Sequence, residues 1–351
     1  MYCRSGRLWY GCRFGLYICR PAAASSDALK QFNTEEAQIR IRGRDTNVFS
    51  TRFGDRTIIC SGRWLKTASV QDEAFLEGEV VPDPESVIVH LKQWEVKPDV
   101  FTFSQKITDP KTKFAYQMEL DDFAVIPITT YEDWFRNQTK KDVKENVRRA
   151  KRESVEVRTS AYDDAFVQGI KRLYDETPIR QGKRFWHYGK SFDALKQLHG
   201  TYCERAEYLG AYLCAEMIGF LKMVYVDNFA KTMHVFGSYK HRRKRPTNAL
   251  IAKAVEICAE RRLSLLIYGE YDFASKKANS LTEFKRRNGF EQMKYPRYFI
   301  PLTVKGNLAL RLRLHRGLRH YVPPPLTNTF LNVRSAYYRR KFASYLAACS
   351  A

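Results

Sequence analysis

The sequence predicts a mixed α/β (α+β) fold in which a largely antiparallel sheet is flanked by helices and follows a smaller β-rich N-terminal module. Three strand-like runs succeed one another in the second half of the chain, which is the pattern of an antiparallel meander. A long amphipathic helix, Pro246 to Arg262, leads into Ser264 to Tyr268, a continuous apolar run typical of a strand buried on both faces. With 351 residues, 44% of them hydrophobic, the chain can build one or two such cores.

Composition and pattern divide the chain into four predicted segments. Residues 1–46 are expected to form a poorly ordered basic extension, and residues 303–351 a basic helical tail. Between them, residues 47–130 carry short runs separated by Gly, Pro and Asp, whereas residues 131–302 carry longer elements. The strands predicted in the β-rich module are Phe49–Phe53, Thr57–Trp64, Ser86–Leu91, Val100–Gln105 and Phe114–Leu120.

The segment 131–302 begins with a basic amphipathic helix, Tyr131 to Glu153, and a strand, Val155 to Arg158. Two helices, the three-strand meander, the crossover helix, the buried strand, a further helix and a final strand follow in that order. Pro178 ends the first helix of the pair, and Gly289 ends the last helix. The predicted bounds of these elements are 163–177, 192–202, 207–214, 217–226, 232–239, 246–262, 264–268, 280–288 and 295–302.

Charge and cysteine usage narrow the class of function. The formal net charge is +22, which favours an anionic partner such as nucleic acid, coenzyme A or lipid over a merely solvated basic surface. The eight cysteines form no CxxC pair and have no His at zinc-ligand spacing, so we expect no metal and no disulfide framework. No apolar run reaches the roughly 18 residues that a membrane span needs. The scattered cysteines favour the reducing cytoplasm.

Two segments resemble the Fem-like branch of the GNAT superfamily of acyl-coenzyme A N-acyltransferases. One is the basic helix Lys141–Arg152 with the strand Val155–Val157, and the other is Tyr271–Phe273 followed by Ser280–Phe290. The resemblance covers Tyr131 to Leu302, about half of the chain, and implies transfer of an acyl or aminoacyl group to an amine. The resemblance implies no tightly bound cofactor and a polyanionic co-substrate, either acyl-CoA or aminoacyl-tRNA.

Acyl transfer to an amine requires a base for the amine and a donor for the developing oxyanion. Lys285 matches the lysine of the family's phenylalanine-lysine-arginine helix, so the resemblance implies that it faces the substrate; an exposed helix lysine is the alternative. Glu270 and Asp272 follow the buried strand at the edge where functional groups gather, and either is a candidate base. Tyr268 and Tyr271 are candidate proton donors to the leaving group. For Asp272, a turn residue is the alternative.

The densest basic run lies between the meander and the crossover helix, where the resemblance implies a cradle for the donor's pyrophosphate. Helix N-terminal N–H groups and side-chain cations both suit phosphate oxygens. Charged residues stand where the family has a glycine-bearing loop, which favours contact through side chains; a solvated loop is the alternative. The predicted donor-binding residues are Arg242, Arg243, Lys244, Arg245, Thr247 and Asn248.

Aromatic and basic residues mark two further candidate regions. Trp186, His187 and Tyr188 lie in a loop and suit stacking on a substrate, although plugging the edge of the core is the alternative. Arg148 and Arg149, on the basic helix, are predicted to bind the same substrate, with a solvated helix face as the alternative. The leucines and arginines after Leu302 suit an anionic membrane surface, RNA or docking onto the protein itself.

The sequence therefore predicts a cytoplasmic N-acyltransferase, peripheral at the inner membrane face if the tail binds lipid. A cell-envelope or polysaccharide precursor is the acceptor that family analogy suggests. One alternative is a conventional acetyltransferase for a small amine or sugar. Another, from a different class, is a non-catalytic RNA- or nucleotide-binding protein on a decayed acyltransferase scaffold, which the charge and the missing glycine loop favour.

Overall fold

The computed structural model describes residues 8–11, 14–18, 34–41, 44–180, 183–271, 280–316, 333–334, 336–338 and 340–341. By contacts the chain divides into two compact units. The first comprises residues 1–123 and 292–320, and the second comprises residues 124–291 and 321–351. The final strand of the predicted acyltransferase segment therefore belongs almost entirely to the first unit.

The first unit is a β-rich body with a small number of helices. Its main sheet has the strand order β3-β4-β5-β6-β7-β16-β8, in which only β6 and β7 are parallel among the pairs whose register is described. Residues 117–123 supply the part of β8 that belongs here. The elements of this unit are β1 (Leu8–Gly11), β2 (Phe14–Ile18), β3 (Glu35–Ile41), β4 (Arg44–Phe53), β5 (Arg56–Ser61), β6 (Thr67–Val70), α1 (Pro84–Gln93), β7 (Val100–Ser104), β8 (Gln117–Pro127), β16 (Glu291–Pro301) and α8 (Val304–Arg311).

One predicted strand of the first unit is wrong, because Ser86–Leu91 lies inside helix α1. Asp83 caps this helix by accepting a hydrogen bond from the Ser86 N–H at 3.3 Å, and Pro84 occupies a first-turn position where its missing N–H costs nothing. The β-branched residues suggested a strand, yet Val87, Ile88 and Leu91 bury on one helical face. Capping and packing thus override the local β propensity.

The second unit is built around a sheet of order β8-β15-β14-β13-β12-β9, to which β8 contributes residues 124–127. Its pairs are antiparallel except for β14 with β15. The elements are α2 (Tyr131–Asp133), α3 (Lys141–Arg152), β9 (Val155–Thr159), α4 (Asp164–Tyr174), β10 (Ile179–Arg180), β11 (Lys183–Arg184), α5 (Phe192–His199), β12 (Ala206–Leu213), β13 (Glu216–Val226), β14 (Phe229–Gly237), α6 (Pro246–Glu260), β15 (Leu265–Ile267) and α7 (Ser280–Arg287).

Helices cover both faces of this sheet. Successive strand residues point to opposite faces, and Leu221 of β13 lies in the core formed with α3, α6 and the region of α7. Its neighbour Phe220 packs instead against Phe166 and Tyr174 of α4. The α3–α6–α7 layer and the α4–α5 layer therefore lie on opposite faces. This is the mixed, mostly antiparallel α/β architecture that the element order predicted.

The predicted basic helix over Tyr131–Glu153 is interrupted. A π-helical turn covers Trp134–Gln138, and α3 begins after Lys140. The indole Nε1 of Trp134 donates to the Asn288 carbonyl at 2.9 Å, so this side chain is fixed in the core. π-helical turns are rare and often occur at functional sites. Of the helices in the described part of the chain, none combines the length and the apolar character that crossing a membrane requires.

Candidate active site

The two parallel strands of the second unit separate, and the separation defines the candidate site. Strands β14 and β15 pair over Phe229–Lys231 and Leu265–Ile267, whereas β14 continues to Gly237. After β15 the chain stays with β8, because the Tyr268 N–H donates to the Ala124 carbonyl at 2.8 Å. A gap therefore opens between the second half of β14 and the residues after β15. Ligands bind preferentially at such points, beyond the carboxyl ends of parallel strands.

Tyr268 lies at the start of this gap. Its ring packs edge-on to Phe290, with centroids 5.4 Å apart. Burial raises the pKa of its hydroxyl to about 12, although the positive charge of Arg180 opposes the shift. The phenol therefore keeps its proton at neutral pH and can donate a hydrogen bond.

Lys285 reaches the same place from α7. It is only 2% exposed, its Nζ donates to the carbonyl of Glu270, and Nζ lies 5.1 Å from the centroid of the Tyr268 ring. The exposed-lysine alternative is thus excluded by its burial. A buried ammonium is costly unless it is hydrogen-bonded, and here it is held within reach of the gap.

Arg180, on β10, approaches from the α4–α5 face and was not among the predicted site residues. Its guanidinium lies 3.9 Å from the Phe236 ring centroid and donates to the Gly237 carbonyl at 3.4 Å. Burial lowers its pKa, and the charge of Glu176 opposes this shift. The only sequence signal for this residue is an arginine after Pro178 in an aromatic loop. Its contacts could not be predicted from the sequence, because its partners are distant along the chain.

The predicted acid and base residues follow Tyr268 directly. Glu270 and Tyr271 are both half-buried, and the Tyr271 carbonyl accepts a hydrogen bond from the Thr282 hydroxyl at 3.3 Å. The structure therefore brings Glu270, Tyr271 and Lys285 together at one wall of the gap. Asp272 lies outside the described residues.

The basic run forms a 3₁₀ turn over Arg242–Lys244 directly before α6. Arg242 folds back onto Tyr239, with its guanidinium carbon 4.4 Å from the ring centroid, and Lys244 pairs with Glu153 at 2.8 Å. Arg243 and Arg245 are exposed. Arg245 has φ of 59°, a left-handed conformation that favours glycine and costs other residues about 1–2 kcal/mol. Charged side chains thus occupy a turn whose backbone would suit glycine.

The first turn of α6 joins this loop to the Lys285 helix. Asn248 is buried and donates to the Asn288 side-chain oxygen at 3.0 Å, immediately after α7. Thr247 is half-buried beside Gly237, where a Cβ would lie 2.5 Å from the threonine Oγ1. Glycine is required there because the end of β14 and the start of α6 approach so closely. Asn248 therefore holds the two helices together.

The aromatic loop lies on the α4–α5 face. His187 is buried and stacks on Tyr174 at 4.3 Å, so it packs into the core edge. Trp186 is half-buried with the Lys190 Nζ 4.4 Å from its ring, and Tyr188 is 38% exposed. Of the three predicted substrate residues, Trp186 and Tyr188 are the ones that present surface.

Arg148 and Arg149 lie on α3, which packs on the opposite face of the sheet from the aromatic loop. Arg148 lies over Phe135 at 5.7 Å, and Arg149 is 3.9 Å from Glu153. Arg149 and Lys244 share Glu153 as a partner, so Arg149 lies near the basic turn. The sheet therefore separates Arg148 and Arg149 from the aromatic loop, and a role of either group in binding substrate stays a prediction. In the part of the chain that the structure describes, no cluster of three or more His, Cys, Asp or Glu side chains is arranged to hold a metal ion.

Solved structures of other proteins have a similar fold, whereas sequence comparisons find no match. No protein-family model and no curated protein sequence matches the chain. Among solved structures, it is similar to FemX, with a TM-score of 0.52 and 12% identity over 84% of this chain and 90% of that one. It is also similar to L-PGS from Bacillus licheniformis, with a TM-score of 0.50 and 12% identity over 77% of this chain and 88% of that one. The chain therefore has a Fem-like, GNAT-type acyltransferase fold.

Proposed function

We propose that this protein is an N-acyltransferase whose reaction takes place in the gap between β14 and β15. The observation that carries the proposal is the buried Lys285, whose Nζ reaches the residues directly after β15. The fold holds this cation at the open end of two parallel strands, where it also donates to the Glu270 carbonyl. It suits an oxygen that becomes negative during a reaction.

The chemistry follows from the groups around the gap. The acceptor amine attacks the donor carbonyl, a nitrogen–carbon bond forms, and the carbonyl oxygen becomes an oxyanion before the bond to the leaving sulfur or oxygen breaks. Lys285 and the protonated Tyr268 can stabilise that oxyanion. Among the described carboxylates, Glu270 is the candidate for taking the proton from the amine, and Tyr271 is the candidate for protonating the leaving group.

The two substrates approach from opposite faces in this proposal. The donor binds on the α6 side, where the exposed Arg243 and Arg245 supply cations for its phosphates. A polyanionic donor, either acyl-CoA or aminoacyl-tRNA, fits this chemistry. The acceptor binds on the α4–α5 side, against Arg180 and Trp186, and by analogy with the Fem-like branch it is an amine of a cell-envelope or polysaccharide precursor.

A donor comparison tests the proposal. The purified chain is titrated by calorimetry with acetyl-CoA and with aminoacyl-tRNA, and then incubated with each donor and a set of amines for detection of acylated product by mass spectrometry. Replacing Lys285 with Met keeps the volume of the side chain and should lower turnover by about 10²–10³-fold, as loss of one oxyanion donor does. Donor affinity should change little.

Lys253→Met is the matched control, because Lys253 on α6 is 30% exposed and pairs with Glu256 at 2.6 Å. It should retain wild-type turnover. If the chain and both variants bind RNA or nucleotide equally and none of them forms product with any donor, the non-catalytic binding function replaces this proposal.

A further inference from the structure

Helix α8 of the first unit has two apolar faces. Ala309 and Leu310 are 1% and 2% exposed and pack inward. Val304, Leu308 and Leu312 are 90%, 56% and 54% exposed. Their i, i+4, i+8 spacing places them in one stripe, which points away from the buried face. A surface helix normally directs a single apolar stripe inward, so the outer stripe calls for a partner outside this unit.

A tryptophan extends this stripe. Trp64, on the loop between β5 and β6, is 61% exposed, and the Lys305 Nζ at the start of α8 lies 6.0 Å from its ring centroid. The indole therefore lies beside the helix on the same side of the unit. Tryptophan is enriched at the boundary between lipid and water, because its ring is apolar and its N–H is polar.

The charged side chains that helix α8 itself contributes are all cations. The segment from Thr303 to Arg316 contains no Asp or Glu. At 100° per residue, Lys305 and Arg311 lie about 60° to either side of the middle of the stripe. Arg311 is exposed, and Arg313 follows the helix. An apolar stripe bordered by cations is the pattern of a helix that lies in the plane of an anionic membrane surface.

The helix is firmly attached to its unit. The Thr303 hydroxyl caps it by accepting from the Gly306 N–H at 3.0 Å and donates to Asp99 at 2.9 Å. Lys305 pairs with the same carboxylate at 2.9 Å. At Gly306 a Cβ would lie 1.9 Å from the Asp99 carbonyl oxygen, so only glycine permits this close approach. The stripe is therefore presented in a fixed orientation.

We propose that the α8 surface, formed by Trp64, Val304, Lys305, Leu308, Arg311 and Leu312, docks this protein onto an anionic lipid bilayer. The apolar side chains enter the boundary between headgroups and acyl chains, and the cations contact lipid phosphates. RNA would use the cations but would gain nothing from the exposed leucines. Since both features occur on one surface, a bilayer fits it better than a nucleic acid.

Vesicle sedimentation tests the proposal on the full chain. The protein should bind phosphatidylcholine vesicles that contain phosphatidylglycerol, and bind weakly to vesicles of phosphatidylcholine alone. Leu308→Asp should lower the partition coefficient roughly tenfold or more, because a leucine that enters the lipid is replaced by a charge that the lipid repels. Arg311→Gln should lower it about fivefold, and added salt should reduce this difference.

Val89→Asp is the matched control, since Val89 lies on α1 of the same unit and is 56% exposed. It should bind vesicles as the unmodified chain does. Equal binding by Leu308→Asp would show that another surface, including residues 317–351, contacts lipid, and would overturn the proposal. A dimer in light scattering that Leu308→Asp abolishes, without vesicle binding, would assign the stripe to self-association instead. Turnover on a soluble amine should be unchanged by Leu308→Asp, so this test is independent of the proposed reaction.

Discussion

Replacing Arg297 with Met should strongly destabilise the first unit. The guanidinium of Arg297 is buried between Glu73 and Asp121, with side-chain exposures of only 5–6% for all three residues. Burial alone would lower the pKa of Arg297, but the two carboxylates raise it well above the ordinary value. Glu73 also accepts a hydrogen bond from the Ser104 N–H at 3.0 Å. Arg297 is therefore a cation that both of these buried carboxylates contact.

The size of the stability loss follows from the two buried carboxylates that Arg297→Met leaves without this cation. Removing one member of a buried ion pair costs about 3–5 kcal/mol, because the remaining charge is uncompensated. For a unit of about 150 residues, each kcal/mol corresponds to roughly 2–4 °C, so the melting temperature should fall by about 10 °C.

Urea denaturation followed by circular dichroism, together with thermal denaturation, measures both effects. Arg63→Met is the control, because Arg63 is exposed in the same unit. The triple substitution Glu73→Gln, Asp121→Asn and Arg297→Met should recover part of the loss, since it removes the charges together. A loss below about 1 kcal/mol for Arg297→Met, which is the range of surface pairs, would refute the reasoning.

Three further predictions concern other parts of the molecule. Burial, and to a smaller extent the positive charge of Lys222, lowers the pKa of His199 and of His234 well below 6.5. The unfolded chain therefore binds protons that the folded chain does not bind, so the thermal stability should fall as pH drops below about 6.5. A melting temperature that does not change with pH in this range would contradict the prediction. Gly306→Ala should destabilise the first unit by about 1–3 kcal/mol in urea denaturation, because the added Cβ would collide with the Asp99 carbonyl, although alanine normally stabilises a helix. The adjacent Asn307→Ala serves as the control. A gain in stability for Gly306→Ala would show that the helix can shift. Burial raises the pKa of Cys60 and of Cys258 to about 12, whereas Cys203 and Cys214 are exposed. Peptide mapping after iodoacetamide treatment should therefore find the two buried cysteines unmodified and the two exposed cysteines alkylated. Equal labelling of all four would contradict the described core.

Much of the second unit could be predicted from the sequence because its signals are local. Pro246 at the start of α6, the turn at Asp227 and Asn228, and the apolar run of β15 each act within a few residues. The predicted meander and crossover helix are observed as β12, β13, β14 and α6, with bounds that differ by a few residues. In the first unit, the strand predicted over Ser86–Leu91 was wrong, because capping and burial of helix α1 override the strand propensity of its β-branched residues.

The sequence by itself determined the order of helices and strands, the basic charge and the resemblance that singled out Lys285. Only the tertiary structure decided that Lys285 is buried against Tyr268, that the charge of Arg180 acts on Tyr268, and that Arg148 lies away from Trp186. The physical reason is that these relations depend on where β14 and β15 separate and on which face each helix packs. Both are fixed by contacts between residues far apart in the chain, which no local pattern encodes.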